Sequence, residues 1–221
     1  MGQLSRRKNL GAKMIKGFVE KPKRHHFVNH DSYMPLAMAR QLNLWHGGDV
    51  RPMLDFLRKE NKKDLIGVEI GVLHGINAVN ILNNLSIEKL YLIDPLQLYP
   101  DYKDIRAPVF NWVKKDADAR LKPFLDKIVW LIKFSSEAKS EIPDNLDFVY
   151  IDGNHAYEYC LEDIKNYYPK VKKGGIIGGH DYTPSPAPEP VNFGVRKAVD
   201  EFASKNNLKL FHQSPDWWII K

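Results

Sequence analysis

Short apolar segments alternate with amphipathic segments through most of the chain. The apolar runs are rich in Val, Ile, Leu and aromatic residues, a pattern typical of strands buried on both faces. Between them, apolar residues recur every three or four positions, as they do along one face of a helix. The pattern therefore predicts strands over residues 65–70, 89–93, 127–132, 146–151, 175–179, 208–212 and 217–220.

The amphipathic segments predict helices between these strands. They cover residues 34–60, 75–85, much of 105–124, 156–168 and 194–205. Strands and helices that alternate with short linkers predict an α/β fold, in which a mostly parallel, doubly wound sheet is covered on both faces. A proline-rich segment, 183–190, follows the fifth strand, and the alternation resumes after it. We interpret it as a loop over the ligand-binding end of the sheet.

The chain has 221 residues and a net charge of +6, which is unevenly distributed. Residues 1–30 contain eight lysines and arginines and one acidic residue, a net charge of +7. The sequence predicts three parts: a basic arm (1–32), a helical N-terminal cap (33–62) and an α/β domain (63–221). A basic arm can bind nucleic acid, an anionic surface or an acidic substrate, or it can be a solvated leader.

The composition excludes several classes of protein. No apolar run approaches the length of a membrane span, and no secretory signal follows the basic N-terminus. The single cysteine, Cys160, excludes an intramolecular disulfide, and its position on a helical face predicts a core residue. A reducing cytoplasm is the expected location.

Polar side chains follow the fourth and fifth predicted strands where each strand ends. Asp152 and His155 follow the fourth strand, and His180 and Asp181 follow the fifth. In open α/β sheets the ligand crevice lies beyond the carboxyl ends of the strands. The four side chains are therefore expected to converge if the two strands are neighbours. One such pair is well explained as a helix cap, whereas two favour a functional site.

The first predicted strand leads into a glycine-containing turn, VEIGVLHGINA. Gly71 and Gly75 allow backbone N–H groups to approach a ligand closely at the start of the next helix. Glu69 stands where the dinucleotide-binding pattern has its first glycine, and a carboxylate there suits a ligand with an ammonium or sulfonium group. Asp94 ends the second strand, where an acid can accept two ribose hydroxyls. Taken singly, each residue is explained by a tight turn; together they favour a ligand site.

These motifs resemble those of the class I S-adenosylmethionine-dependent methyltransferases, from about residue 65 to the C-terminus. VEIGVLHGINA is similar to their first motif, and LIDP is similar to the acidic end of their second strand. The segment LDFVYIDGNHAYEYCLEDIKNYYPKVKKGGIIGGHDY is similar to the branch that includes small-molecule and sugar O-methyltransferases. The resemblance implies a Rossmann-like, seven-stranded sheet with an antiparallel last strand, and O-methylation of a small-molecule or sugar hydroxyl.

The resemblance also implies how S-adenosylmethionine is held. Glu69, Gly71 and Gly75 would contact the methionine part of the cofactor, and Asp94 would contact its ribose. On the adenine side, the segment FSSEA after the third strand offers Ser136 as the candidate, with Ser135 beside it.

Several members of this branch bind a divalent metal through an Asp after the fourth strand and an acidic pair after the fifth. The matching positions here are Asp152 and the pair His180 and Asp181, in which His180 replaces an acid. Mg²⁺ prefers oxygen ligands, and an imidazole shifts the preference toward Mn²⁺, Fe²⁺ or Zn²⁺. The metal would orient the acceptor hydroxyl and lower its pKa, and His155 is the expected general base. A helix-start or metal-ligand role for His155 competes with this assignment.

Two other functions fit parts of the sequence. The same aspartates and histidines are the residue types of a non-haem iron site that hydroxylates its substrate. The basic arm, residues 1–30, could bind nucleic acid, but no basic patch interleaved with aromatics accompanies the predicted site, which disfavours this function. The oligomeric state and the acceptor are open at the level of the sequence.

Overall fold

A seven-stranded sheet forms the centre of the computed structural model, which describes residues 50–99, 110–182 and 194–221. The strands are β1 (Leu65–Ile70), β2 (Ile87–Ile93), β3 (Ile128–Leu131), β4 (Leu146–Ile151), β5 (Val171–Gly179), β6 (Leu210–Gln213) and β7 (Asp216–Ile220). The helices are α1 (Pro52–Lys59), α2 (Ile76–Asn84), α3 (Phe110–Leu121), α4 (Ser135–Ala138), α5 (Tyr157–Tyr167) and α6 (Val195–Lys205). Short 3₁₀ helices follow α3, α4 and α5 at Lys122–Phe124, Lys139–Glu141 and Tyr168–Lys170.

The strand order is β3-β2-β1-β4-β5-β7-β6. The strands from β3 to β5 pair in parallel, and β7 runs antiparallel to both β5 and β6. This topology confirms the predicted α/β fold with an antiparallel last strand. The order reverses between β1 and β4, so their carboxyl ends flank the crevice at which sheets of this kind bind ligands.

The alternation of side chains along β4 divides the core into two clusters. Phe148 and Tyr150 face the cluster that contains the buried residues of α1, α2 and α3, whereas Val149 and Ile151 face the cluster formed with α5 and α6. Because successive strand residues point to opposite faces, one apolar run supplies both clusters. Helices therefore cover the sheet on both faces, as the sequence predicts.

The bounds of several elements differ from the predicted ones, and two of these differences have a clear local cause. β5 begins at Val171 rather than at residue 175, because Leu146 pairs with Val171 and Phe148 then pairs with Ile176, which leaves a bulge between them. The polar bulge residues hide this part of the strand in the hydrophobic pattern. α3 ends at Leu121, and Pro123 follows in the 3₁₀ helix, because proline cannot continue the α-helical hydrogen bonding.

The structure describes some of the other predicted segments only in part. Of the predicted helical segment 34–60, the structure describes α1. The basic arm and most of the predicted cap lie outside the described residues, as does the proline-rich segment 183–190. Cys160 is buried in the core, as predicted. Within the described ranges, no helix is both long and apolar enough to cross a membrane.

Phe148 gives a test of the core. The side chain is fully buried, and its ring lies where a side chain on Gly67 would be. We expect Phe148→Ala to lower the free energy of unfolding by about 3–5 kcal/mol, because the substitution removes buried apolar contacts and leaves a cavity. Urea denaturation measures the change. Leu125→Ala, at an exposed position, is the control and is expected to change stability by less than about 0.5 kcal/mol. Equal effects of the two substitutions would contradict the assigned core.

Candidate functional site

The turn between β1 and α2 requires glycine at two positions. Gly71 has φ +86°, and a Cβ atom there would lie 2.0 Å from the carbonyl oxygen of Asp152. Gly75 has φ +71° and begins α2 as its N-cap residue. Side chains at these positions are disfavoured by the left-handed backbone, and at Gly71 also by the neighbouring chain. Gly71 thus allows the turn after β1 to lie against the end of β4.

Asp94, at the end of β2, holds this turn in place. Its Oδ2 atom accepts hydrogen bonds from the backbone N–H groups of Val72 (2.9 Å) and Leu73 (2.8 Å). Its Oδ1 atom accepts a third bond, from Leu96 N–H at 2.8 Å. A carboxylate offers about four lone-pair sites, so it can hold the turn and still accept a bond from a ligand. The structure thus gives Asp94 a role in shaping the turn that the sequence does not reveal.

A cleft of about 150 Å³ opens between the ends of the central strands. Its lining includes Gly71, Asp94, Tyr99, Ser135 and Asp152. Residues from the turn after β1, from the end of β2 and from the loop after β4 therefore meet in one space. This is the arrangement expected for a ligand that spans the two halves of a doubly wound sheet.

On the adenine side predicted from the sequence, the structure favours Ser135 over Ser136. Ser135 is buried and lines the cleft, whereas Ser136 is exposed and is not among its described lining residues. The Ser135 hydroxyl donates a hydrogen bond to Asp163, and Tyr167 Oη donates to the Ser135 carbonyl at 2.7 Å. Burial raises the pKa of Asp163 to about 7. These two partners on α5 fix the orientation of Ser135.

Glu69 lies behind the turn and is fully buried. Its Oε1 atom accepts a hydrogen bond from Asn77 Nδ2 at 3.0 Å, while its Oε2 atom has no hydrogen-bond partner among the described residues. Burial raises the pKa of the Glu69 carboxyl to about 8. A buried acceptor without a partner is unfavourable, so this oxygen is suited to a cationic group that approaches it. Glu69 is not among the described lining residues of the cleft.

The four polar residues that follow β4 and β5 converge, as the sequence predicts. The His155 Nε2 atom lies 2.9 Å from Asp181 Oδ2 and 3.7 Å from Asp152 Oδ1. The His180 Nδ1 atom lies 3.1 Å from the same Asp181 oxygen and 3.9 Å from the same Asp152 oxygen. We name these four residues the Asp–His cluster. Asp152 belongs to both the cluster and the cleft.

Three members of the Asp–His cluster are arranged to hold a metal ion. One ligand atom from each of Asp152, His155 and Asp181 lies within 4.8 Å of the other two. Two carboxylate oxygens and one imidazole nitrogen suit Mn²⁺ or Fe²⁺ better than Mg²⁺. The residues present therefore fit a divalent cation. The sequence assigned His180 to this ion and kept a ligand role for His155 as an alternative, and the group of ligand atoms within 4.8 Å contains His155 rather than His180.

The carboxylates of the cluster set the protonation of its histidines. Burial alone would lower the pKa of His155, but the nearby carboxylates of Asp152 and Asp181 raise it to about 10. For His180, the hydrogen bond to Asp181 likewise outweighs burial and raises the pKa. His155 is therefore expected to carry a proton at neutral pH when no other cation faces the carboxylates.

Arg51 supplies a further positive charge at the site, and sequence reasoning did not identify this residue. Its Nη1 atom donates a hydrogen bond to Tyr150 Oη at 2.9 Å and lies 3.2 Å from Asp152 Oδ2. The side chain is 9% exposed. No sequence motif marks Arg51, because its partners lie about a hundred positions away along the chain. Asn77 was also missed, although its place in the first turn of α2, facing β1, could have identified it.

Asp94 gives a test of the turn without any ligand. We expect Asp94→Asn to lower the free energy of unfolding by about 1–3 kcal/mol, because the amide nitrogen cannot accept a hydrogen bond and leaves a backbone N–H without its partner. Urea denaturation of the ligand-free protein measures the change. Asp118→Asn removes an exposed carboxylate on α3 and is the control, with an expected change under about 0.5 kcal/mol. Unchanged stability of Asp94→Asn would contradict the role of Asp94 in holding the turn.

Similar proteins were found at two levels, in sequence and in structure. An uncharacterised protein of Acanthamoeba polyphaga mimivirus is 29% identical over 123 residues, which are 55% of this chain and 53% of that protein. The chain thus matches about half the length of this curated relative.

Solved structures share the fold. The O-methyltransferase NovP is 22% identical, with a TM-score of 0.58 over 76% of this chain and 79% of that one. An O-methyltransferase from Bacillus cereus, solved in complex with SAH, is 14% identical, with a TM-score of 0.58 over 84% of this chain and 90% of that one. At these identities the likeness concerns the fold.

The family is established by the sequence match. Residues 68–182 match the methyltransferase domain family, and this segment contains the turn after β1, Asp94 and the whole Asp–His cluster. The matched segment is more than half of the 221-residue chain. The protein therefore belongs to the methyltransferase domain family.

Proposed function

We propose that the protein transfers a methyl group from S-adenosylmethionine to a hydroxyl of a small molecule or sugar. The observation that carries this proposal is the shared position of Asp152, which lines the cleft beside Gly71 and Asp94 and also belongs to the Asp–His cluster. A cofactor in the cleft and an acceptor at the cluster would therefore meet at one residue. Methyl transfer needs such proximity, because the hydroxyl must attack the methyl carbon in line with the departing sulfur.

The charges around the cleft suit a sulfonium cofactor. The Glu69 carboxyl lies close enough to Asp152 and Asp94 for these carboxylates to contribute to its raised pKa. A positive charge placed among the three groups would be stabilised and would favour the ionised form of Glu69. We assign the ribose to the carboxylate of Asp94 and the base to Ser135 and Tyr99, which line the same cleft. A pyrophosphate, with its negative charges, fits these surroundings poorly.

The Asp–His cluster supplies the means to activate a hydroxyl. A neutral hydroxyl is a poor nucleophile at neutral pH, so a base must take its proton as the bond to carbon forms. We assign this role to His155, which at 33% exposure is the most accessible of the four side chains. Asp152 and Asp181 hold the imidazole and stabilise its protonated form after the transfer.

A base must be unprotonated before it acts, and the two carboxylates oppose this in His155. The raised pKa of about 10 means that a further positive charge near Asp152 and Asp181 is required for His155 to lose its proton at neutral pH. A divalent cation held by Asp152 and Asp181, with His180 as the third ligand, would supply that charge and would favour ionisation of the acceptor hydroxyl.

A second assignment of His155 competes with the first. The described side chains whose ligand atoms all lie within 4.8 Å of one another are those of Asp152, His155 and Asp181, which favours His155 as a ligand. The Nε2 atom cannot bind a metal ion and accept a proton at the same time. If His155 is the base, replacing His180 should remove the metal ion. If His155 is the ligand, replacing His155 should remove it.

The cofactor assignment is tested by binding. We expect isothermal titration calorimetry to show S-adenosylmethionine binding in the micromolar range and no comparable binding of NAD, because a pyrophosphate would face the carboxylates of Asp94 and Asp152, which line the cleft. Incubation with methyl-labelled S-adenosylmethionine and a panel of phenols and sugars should then label a hydroxyl. Tighter binding of NAD would contradict the proposal. Consumption of dioxygen without methyl transfer would favour the hydroxylase instead.

The roles in the Asp–His cluster are tested by three variants. We expect Asp152→Ala to abolish methyl transfer and weaken Mn²⁺ binding. His155→Ala should retain Mn²⁺ and lose activity by about 10²–10⁴-fold, the usual contribution of a positioned base, with partial recovery at high pH where the acceptor hydroxyl ionises unaided. His180→Ala should lose Mn²⁺ affinity.

His212→Ala, at an exposed position in β6, is the control for these variants and should behave like the wild type. Loss of Mn²⁺ in His155→Ala, with normal Mn²⁺ binding in His180→Ala, would make His155 the ligand. Activity that withstands complete removal of divalent cations would eliminate the cation from the proposal.

A further inference from the structure

Arg51 is the centre of a buried polar network beside the Asp–His cluster. Its Nη1 atom contacts Tyr150 Oη and Asp152 Oδ2, and Tyr150 Oη in turn donates to Asp216 Oδ1 at 3.0 Å. The other oxygen of Asp216 accepts a hydrogen bond from the backbone N–H of Met53 at 3.1 Å. The network therefore joins the start of α1, the end of β4 and the start of β7.

The network holds Arg51 in one place. Its guanidinium lies 5.6 Å from the centre of the Tyr150 ring, in addition to its hydrogen bond with the hydroxyl. Tyr150 and Asp216 are fully buried, so neither partner can move without opening the core. A surface ion pair exchanges its partners freely, whereas this arginine is fixed relative to Asp152. Arg51 therefore acts on Asp152 with a constant geometry.

The two oxygens of Asp152 have different surroundings as a result. Oδ2 faces Arg51 at 3.2 Å, and Oδ1 faces His155 and His180. A carboxylate held in this way offers one oxygen to a metal ion rather than two. The fixed positive charge of Arg51 also repels any cation that approaches the other oxygen, because charges separated by a few ångströms interact strongly where water is largely excluded.

We propose that Arg51 is a positioning residue that weakens the binding of divalent cations at the Asp–His cluster and favours the ionised acceptor hydroxyl. The inference rests on the cation site of the proposed function. A positive charge beside the site opposes a bound cation and stabilises an acceptor oxyanion, so the two effects have opposite signs. A purely structural arginine would, when replaced, weaken both metal binding and activity.

The experiment compares Mn²⁺ binding in the ligand-free full chain, measured by the electron paramagnetic resonance signal of free Mn²⁺. We expect Arg51→Gln to bind Mn²⁺ roughly 10- to 100-fold more tightly than the wild type, because a unit charge is removed a few ångströms from the cation. Arg51→Lys keeps the charge and should stay close to the wild type. Arg58→Gln is the matched control, since Arg58 lies exposed on α1, the helix that Arg51 precedes, and pairs with Asp55, and it should leave the affinity unchanged.

The second measurement is the pH dependence of methyl transfer. In Arg51→Gln the rise of activity with pH should move to higher pH, because the acceptor hydroxyl loses a stabilising charge, and Arg51→Lys should restore the wild-type profile. Far-ultraviolet circular dichroism checks folding. Arg51→Met, which keeps an unbranched side chain against the Tyr150 ring, replaces Arg51→Gln if the latter does not fold.

The outcomes separate the inference from the proposed function on which it rests. Tighter Mn²⁺ binding in Arg51→Gln, with Arg51→Lys and Arg58→Gln close to the wild type, supports the inference. It does so even if the wild type binds Mn²⁺ too weakly to measure. Measurable and equal binding in the wild type and all variants overturns the role of Arg51 and leaves the cation site in place. Weaker binding in Arg51→Gln makes the arginine a structural support of Asp152 and also overturns the inference. No binding in any variant eliminates the cation site together with the inference.

Discussion

The contact between the backbones of Gly71 and Asp152 determines the layout of the site. The Asp152 N–H group donates to the Ile70 carbonyl at 2.7 Å, and Gly71 N–H donates to the Ile93 carbonyl at 2.8 Å. Three central strands thus end at one level, with no room for a side chain between the first and the fourth. Because of this contact, the turn after β1 and the Asp–His cluster lie side by side rather than on separate parts of the sheet edge.

Buried polar groups then fix the parts that surround this contact. Asp94 closes the glycine turn through three backbone N–H groups, and Asp216 ties the start of α1 to the closing hairpin. Removing one partner of such a buried set is costly, because the other partner is left in the interior without a hydrogen bond. Asp94 and Asp216 therefore stabilise the fold through their bonds to backbone groups. Asp152 and Asp181 are the carboxylates that face the histidines of the Asp–His cluster.

The sequence predicts the convergence of the Asp–His cluster because the rule behind it is simple. Parallel neighbouring strands end at the same edge, so residues that directly follow β4 and β5 must approach each other. The sequence could not decide between Ser135 and Ser136, because no comparable rule applies to them. At the start of a helix, neighbouring residues point about 100° apart, and a one-residue difference in phase exchanges the buried serine for the exposed one. Hydrophobic patterns do not determine phase in a four-residue helix such as α4.

Sequence patterns also do not predict long-range polar contacts. Arg51 meets Tyr150 and Asp152, and Asp216 meets Met53, across most of the length of the described chain. Each partner has an ordinary local explanation, as a residue before a helix or within a strand. The bulge in β5 was missed for a related reason, since Lys172 and Lys173 are typical of a turn by composition and are held in the strand by the pairing of Val171 with Leu146. Such features follow from packing between elements rather than within them.

Charge balance connects the buried network with the proposed chemistry. Asp152 and Asp181 bring two negative charges to the cluster, and Arg51 compensates one of them permanently. Burial would raise the pKa of Asp152, yet the neighbouring imidazole of His155 and the charge of Arg51 hold it below its ordinary value, so the carboxylate is ionised throughout the physiological range. The second charge is left for a protonated imidazole or a bound cation, and the two alternatives compete for the same oxygens. Under the proposed function, whichever of them occupies the site decides whether His155 can accept a proton, and the fixed charge of Arg51 would then contribute to the acid–base chemistry without contacting the acceptor.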